Sequence, residues 1–321
     1  LYQRAADLGH AVAMFKLGNH CMKGDGVSQD KAKAIELYQQ AADFGEKNAL
    51  FALAVCYEKG NGVPQDTVKA IQLYQKAAAL GDTKSMVILG SQYEDGDSIA
   101  QDKTKAFEWY QKAADLGDIY ALVKLGDYYF QGDGVMQDKK KAIELYQQTA
   151  DLGDTNAMFK LAYYYLKGDG VAQDKAKSIQ LLQKAADLGN TDAMVNIAYY
   201  YRQGEGIAQD KVKAIGLYRK AADLGNAAAL FHLGECYMEG DGVSQDKAKA
   251  FQFYQRATAL GDIDATVNLG LCYVKGDGIQ EDKRKAIELF QRAADMGDTD
   301  AMFNLGLCLD EGVGQDKSKA I

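Results

Sequence analysis

The sequence predicts an all-α fold, an α-α superhelix (solenoid) of about nine helical hairpins with 36 residues in each. The main observation is a repeat: Gln29-Asp30 recurs every 36 residues up to Glu281-Asp282, and a last copy, Gln315-Asp316, comes two residues early. The chain also contains a single proline, Pro64, which suits a nearly all-helical protein. A fixed period of this size is typical of arrays in which each unit packs only on its neighbours.

We therefore predict one continuous solenoid over residues 1–321 instead of two or three globular domains. It opens on half a repeat, residues 1–9, and closes on a truncated repeat, residues 298–321. The complete repeats are expected near residues 10–45, 46–81, 82–117, 118–153, 154–189, 190–225, 226–261 and 262–297. The two end halves are complementary, so either a longer array was cut or identical chains stack end to end.

The first helix of each repeat, helix A, is predicted from a four-residue apolar period. In the repeat of residues 154–189, Ala157, Leu161 and Tyr165 follow this period, with Met158 and Ala162 beside them. Such a pattern places one wide buried face on a helix. The position of Ala162 is Gly or Ala in every complete copy, which allows two helices to approach closely.

The second helix, helix B, is predicted between a glycine loop and a closing glycine. Gly168 ends helix A because glycine adopts the left-handed conformation found at helix ends. Asp174 stands where an N-cap belongs, and Ile179, Leu182, Ala185 and Ala186 then form the periodic apolar set. Gly189 closes helix B, and Asn190 is placed to start the next helix A.

These residues resemble the Sel1-like repeat, a family of tetratricopeptide-like α-solenoids. One copy carries the pattern in Ala121, Leu125, Gly126, Tyr129, Gly132, Gly134, Val135, Lys141, Ala142, Tyr146, Ala150 and Gly153. The chain departs locally, with Ser98 in place of a loop glycine, Ser85 in place of an alanine and Leu309 in place of the tyrosine. The resemblance implies a right-handed superhelix and an adaptor that holds protein complexes together.

Composition excludes several classes of function. The formal net charge of -8 argues against nucleic acid as a partner, because a phosphate-binding surface needs clustered cations. No apolar stretch approaches the roughly 18 to 20 residues that span a bilayer, so we expect no membrane insertion. Any signal peptide would lie outside this window, so the compartment is not predicted from the N-terminus.

Cysteines and histidines give no catalytic or metal site. Cys56, Cys236, Cys272 and Cys308 share one repeat position, and neighbouring copies should lie about 10 Å apart, beyond the roughly 7 Å that a disulfide allows. We therefore expect free thiols, which favour a reducing compartment. The histidines have no convergent ligands, and the Gly-Asp-Gly-Val loop lacks the signatures of phosphate and calcium loops. We predict no metal, no cofactor and no enzyme activity.

A candidate binding surface comes from comparing repeats within the chain. On a helical wheel of helix A, the invariant positions share one side and the variable positions share the other. The variable stripe is expected to bind a protein or peptide partner on the concave side of the superhelix, and three tyrosines in it, Tyr128, Tyr164 and Tyr200, are expected to form an exposed aromatic ladder. Its predicted contact residues are Tyr120, Lys124, Tyr128, Lys160, Tyr163, Tyr164, Asn196, Tyr199, Tyr200, His232, Asn268 and Asn304.

The sequence thus predicts a non-catalytic protein-interaction scaffold. The variable stripe has another explanation, which is that it is a solvent-exposed face whose residues change because they are only weakly constrained. The alternative function is structural: the complementary half-repeats could propagate a head-to-tail filament.

Overall fold

The structure, a computed structural model, describes residues 1–310. The chain divides into two compact units, Leu1–Asp154 and Thr155–Ile321. The interpretation of the array as one continuous solenoid stays a prediction. The last predicted half-repeat and its dipeptide Gln315-Asp316 lie outside the described residues.

Residues 1–310 contain eighteen α-helices and no strand, which confirms the predicted fold class. Even-numbered helices are the A helices and odd-numbered ones are the B helices. The first unit holds α1 Tyr2–Asp7, α2 Ala11–Lys23, α3 Lys31–Asp43, α4 Lys47–Lys59, α5 Thr67–Ala79, α6 Thr83–Asp95, α7 Lys103–Asp115, α8 Ile119–Gln131 and α9 Lys139–Asp151. The second holds α10 Thr155–Lys167, α11 Lys175–Asp187, α12 Thr191–Gln203, α13 Lys211–Asp223, α14 Ala227–Glu239, α15 Lys247–Ala259, α16 Ile263–Lys275, α17 Lys283–Asp295 and α18 Thr299–Asp310.

The predicted core positions are buried. In α10, Ala157, Met158, Leu161, Ala162 and Tyr165 are all buried, and so are the four apolar residues chosen in α11. Within each unit, an A helix packs against the B helix that follows it, and that B helix packs against the next A helix. A hairpin therefore buries its apolar faces partly against its neighbours, as expected for a repeat array.

One close helix-helix contact joins a glycine of helix A to a tyrosine of helix B. A Cβ placed on Gly126 would lie 2.6 Å from Cε1 of Tyr146, well inside van der Waals contact. Tyr146 is fully buried, and its hydroxyl donates a 2.6 Å hydrogen bond to Asp127 Oδ1. The small residue therefore lets the aromatic ring reach the backbone of the facing helix.

The recurring Gln-Asp dipeptide closes one helix and opens the next. Asp174 accepts a hydrogen bond from the backbone N–H of Lys177, which confirms it as the N-cap of α11. The preceding Gln173 donates from Nε2 to the carbonyl oxygen of Leu166 in the last turn of α10, at 2.8 Å. The same bond forms from Gln29, Gln65, Gln101, Gln137, Gln209 and Gln245. Each glutamine thus satisfies a helix carbonyl that has no intrahelical donor.

Ion pairs connect loops to the helix B of the preceding repeat, and hydrogen bonds connect the two helices of one repeat. In the second unit, Lys247 Nζ pairs with Asp277 of the next loop at 2.7 Å, and Lys175 and Glu205 form the equivalent pair at 3.0 Å. Within a repeat, Lys213 donates to the hydroxyl of Tyr201 at 2.6 Å and lies 4.2 Å from its ring centroid. The Tyr and Lys of the repeat pattern therefore contact each other.

Candidate partner-binding site

The predicted contact residues lie on one side of the A helices, which we call the A face. In the first unit they are Tyr120, Lys124 and Tyr128, all from α8. In the second unit they come from α10, α12, α14, α16 and α18. The helices α8, α12, α14 and α16 each begin after a residue whose side chain caps the helix, and each ends at a glycine with a left-handed backbone. Equivalent residues of these helices therefore have the same local backbone geometry.

The expectation of an exposed tyrosine ladder is wrong for two of its three members. Tyr128 is 3% exposed and Tyr200 is 7% exposed, whereas Tyr164 is half-buried. Tyr128 packs on Phe107 and Tyr110, with ring centroids 6.1 and 5.8 Å away. Both rings belong to α7, the B helix of the preceding repeat, so this position faces a neighbour and not solvent. Cys56, Cys236, Cys272 and Cys308 stand at the same repeat position as these tyrosines, and all four are buried as well.

The accessible aromatic surface of the A face belongs to a different set of tyrosines. Tyr120, Tyr163 and Tyr199 are 53%, 54% and 42% exposed, respectively. Tyr163 stands edge-on to the ring of Tyr164 at 5.7 Å, and Tyr199 stands edge-on to Tyr200 at 6.2 Å. Each exposed ring therefore contacts the ring of the residue that follows it, and about half of its surface remains accessible to solvent.

Lys124 sits in a small polar network of the first unit. Its Nζ lies 2.8 Å from Oε2 of Glu94, which also accepts a 2.8 Å hydrogen bond from the hydroxyl of Tyr110. Burial alone lowers the pKa of Lys124, but its hydrogen bond and charge interaction with Glu94 outweigh burial and leave the pKa raised. Lys124 also lies 5.9 Å from the ring centroid of Tyr120. The ammonium is therefore charged and placed beside the exposed aromatic ring.

The buried side chain of Tyr128 also carries a polar group, its hydroxyl. The hydroxyl of Tyr128 has no hydrogen-bond partner in residues 1–310. Burial, together with the charge of Glu94, raises the pKa of Tyr128, so the hydroxyl is a neutral group.

His232 belongs to a charged cluster that joins two repeats of the second unit. Its Nδ1 lies 2.8 Å from Oε2 of Glu235, and its ring centroid is 5.2 Å from that of Tyr218. The same Glu235 pairs with Arg202 of the preceding A helix at 3.3 Å, and Arg202 also pairs with Asp241 at 2.6 Å. Arg202 was not among the predicted site residues, although it is the single arginine of the described A helices and could have been noticed as such.

The structure brings two predicted residues, Asn268 and Asn304, into the wall of one cavity. This cavity of about 400 Å³ also includes Phe231, Asp264 and Phe303. Asn268 donates from Nδ2 to the carbonyl oxygen of Asp264 at 3.1 Å, so its amide nitrogen is held by its own helix. Burial, and then the neighbouring carboxylates Asp262 and Asp298, raise the pKa of Asp264. Asn196 makes the same bond to Asp192, but it lies outside this cavity.

A second cavity, which the sequence analysis missed, occupies the equivalent place in the first unit. It has a volume of about 350 Å³ and lies between α2 and α4. Its walls include Phe15, Phe51, Val55 and Met22, with the amide of Asn19 beside them. Phe15 and Phe51 occupy the same repeat position as Phe231 and Phe303 in the other cavity, and this position alternates between phenylalanine and valine along the chain, with Val87, Val123 and Val195 in three of the other repeats. Comparing this position between repeats would have indicated it.

Residues 1–310 contain no group of three His, Cys, Asp or Glu side chains that could hold a metal ion. All five cysteines are buried thiols, and burial raises the pKa of Cys236 and Cys272 to about 11. In the same residues, no helix is both long enough and apolar enough to cross a membrane.

The sequence matches a family model, the Sel1 repeat, over nearly the entire chain. The matched segments are 1–10, 11–45, 47–82, 83–118, 119–154, 155–190, 191–226, 227–262, 263–298 and 299–321. The chain belongs to the Sel1 repeat family. Proteins with Sel1 repeats generally act as protein-interaction scaffolds and are generally non-catalytic.

Solved Sel1 repeat structures are similar over nearly the full array. A protective antigen of uropathogenic Escherichia coli is 35% identical with a TM-score of 0.74, and the match covers 99% of this chain and 69% of that one. A Sel1 repeat protein of Oxalobacter formigenes is 30% identical with a TM-score of 0.75, covering 94% of this chain and 88% of that one. No curated protein matches the chain.

Proposed function

We propose that this chain is a non-catalytic scaffold whose A face binds a peptide or an extended segment of a partner protein. The observation that carries the proposal is the pair of A-face cavities at equivalent repeat positions, about 350 Å³ in the first unit and about 400 Å³ in the second. Both combine phenylalanine walls with asparagine amides. Sites of this size with an apolar wall and a few polar groups suit side chains of a ligand.

The variation between repeats supports the same surface. Residues that pack the hairpin, such as Leu161, are of the same type in every repeat, whereas the A-face positions change from one repeat to the next. Exposed tyrosines at Tyr120, Tyr163 and Tyr199 supply large contact areas with little loss of side-chain entropy. A surface of this composition favours recognition of a protein segment over binding of a small metabolite.

The test is selection of peptides from a displayed random library against the intact chain. Enriched peptides are then measured by fluorescence anisotropy against the wild type and against the triple variant Tyr120→Ala, Tyr163→Ala and Tyr199→Ala. These tyrosines are exposed, so the variant should stay folded, as checked by circular dichroism. We expect its affinity to fall more than about tenfold, because exposed aromatic anchors dominate such interfaces.

A matched control removes three exposed apolar side chains elsewhere, by Val68→Ala, Met136→Ala and Val212→Ala. These residues lie on B helices and a loop and line neither A-face cavity. The control should bind the peptides as the wild type does. The three tyrosines line neither cavity, so a second variant, Phe51→Ala with Phe303→Ala, removes one phenylalanine from the wall of each cavity. Equal binding by the wild type and by both variants would assign the peptides to another surface and reject the proposal.

A further inference from the structure

A row of exposed apolar side chains follows the turns that join helix B to the next helix A. In the second unit this apolar row consists of Leu188, Leu224, Leu260 and Met296, which are 56%, 60%, 54% and 53% exposed. Each is the C-cap residue of its B helix. Isolated exposed apolar residues are common on protein surfaces, whereas these four recur at one position of successive repeats.

Closing the turn does not require these side chains. The residue after Leu188 is Gly189, whose φ of 99° makes the left-handed turn, and backbone N–H groups of the turn reach carbonyls of the last helical turn. The next helix is then capped by the side chain of Asn190. None of the four apolar residues lines an A-face cavity, so the proposed peptide site does not use them either.

Charges of opposite sign accompany the row in two separate lines. Four exposed cations stand one helical turn before the apolar residues and on the same side of each B helix: Lys184, Lys220, Arg256 and Arg292. Exposed carboxylates directly precede three of the four apolar residues: Asp187, Asp223 and Asp295. A line of cations therefore runs beside a line that carries the apolar side chains and the carboxylates.

We propose that this surface binds a second copy of the same chain. The two chains face each other across a two-fold axis that runs parallel to the row, between its cations and its carboxylates. Rotation about this axis places the carboxylates of each chain opposite the cations of the other. The contact is isologous, so each attraction occurs twice. The leucines then pack against the alkyl stems of lysine and arginine, which carry apolar surface below their charged ends. Such an isologous arrangement closes as a dimer.

Sedimentation velocity of the intact chain over a concentration series tests the proposal. The wild type should move from the mass of one chain, 35.0 kDa, towards twice that mass as concentration rises. Raising the salt concentration should weaken the association, because exposed charges are screened. A variant with its four cations reversed (Lys184→Glu, Lys220→Glu, Arg256→Glu and Arg292→Glu) should bind itself more than about tenfold less tightly.

The decisive measurement is charge-swap rescue. A second variant reverses the carboxylates, by Asp187→Lys, Asp223→Lys and Asp295→Lys, and it should also lose self-association. Mixing the two variants should restore a dimer containing one of each, because the all-acidic surface then meets the all-basic one. A variant that merely misfolds would not be rescued by its counterpart, so a structural defect and a lost interface give different results.

A matched control reverses four lysines at the ends of A helices, by Lys23→Glu, Lys59→Glu, Lys167→Glu and Lys275→Glu. It changes the net charge by the same amount, at exposed last-turn positions away from the row. It should dimerise like the wild type. A wild type that stays monomeric, a mixture that stays monomeric, or a mass that grows beyond two chains and is insensitive to the swaps would each overturn the proposal.

Discussion

Replacing Gly126 by leucine tests the close helix contact on which the hairpin depends. The Cβ alone would lie 2.6 Å from Cε1 of Tyr146, about 1 Å inside an ordinary carbon contact. Tyr146 is fully buried and hydrogen-bonded to Asp127 at 2.6 Å, so the ring must move and give up that bond. Overpacking costs about 1–3 kcal/mol. Loss of a hydrogen bond to a charged group costs about 1.5–3 kcal/mol.

Leucine also gains about 0.8–1 kcal/mol of helix propensity over glycine, which offsets part of this cost. We therefore expect Gly126→Leu to lower the free energy of unfolding by about 2–5 kcal/mol. Urea unfolding followed by circular dichroism at 222 nm measures the change. Because a repeat array need not unfold in one step, the midpoint and the slope of the transition are both recorded.

Gly216 supplies the matched control for this experiment. It also lies inside a helix, α13, but a Cβ placed on it has no atom within 4 Å. Gly216→Leu should raise stability by up to about 1 kcal/mol, because only the propensity difference acts there. Equal effects of the two substitutions, or an unchanged midpoint for Gly126→Leu, would refute the argument that ring-to-backbone contact sets this position.

Two further predictions concern titratable groups of the second unit. Burial raises the pKa of Glu235 and of Asp241, yet hydrogen bonds and positive charges, including Arg202, outweigh burial and leave both values lowered. The two carboxylates therefore stabilise the fold above their ordinary pKa values of 4.5 and 3.8, and this contribution is lost as pH falls through the lowered pKa values. Arg202→Met should lower the free energy of unfolding at pH 7 and reduce its decrease between about pH 5 and 2, as measured by urea titrations at each pH. An unchanged decrease in acid would contradict this prediction. Cys236 and Cys272, whose pKa burial raises to about 11, should react with Ellman's reagent at pH 8 at least about a hundredfold more slowly in the folded chain than in urea, and equal rates would show that they are exposed.

The periodic sequence was sufficient to predict the helices and their internal packing. Leu161 and its neighbours recur at helical spacing, and Asp174 follows a glycine loop, so both the buried face and the N-cap could be located without coordinates. These features are local to one hairpin. The period then carried the same prediction to every copy.

The A face was predicted less well, because its burial depends on contacts between repeats. A helical wheel of α8 alone places Tyr128 opposite the invariant positions, but it does not include α7, whose Phe107 and Tyr110 cover that side. The wheel did find Tyr120, Tyr163 and Tyr199, which no B helix covers to the same extent. Contacts with the preceding repeat therefore decide which variable residues are accessible.

The glutamine of the recurring dipeptide has a consequence for how such an array changes in length during evolution. Gln173 and Asp174 complete both helix ends from within a single loop, so the junction chemistry travels with each 36-residue segment. Duplication or deletion of one full period regenerates the same junction, whereas an insertion between the glutamine and the helix it closes separates donor from acceptor. Unequal recombination in register can therefore lengthen or shorten the array with no compensating mutation. At Glu281 the side chain is a carboxylate, which does not supply the amide donor, so this junction lacks the bond that the glutamines make.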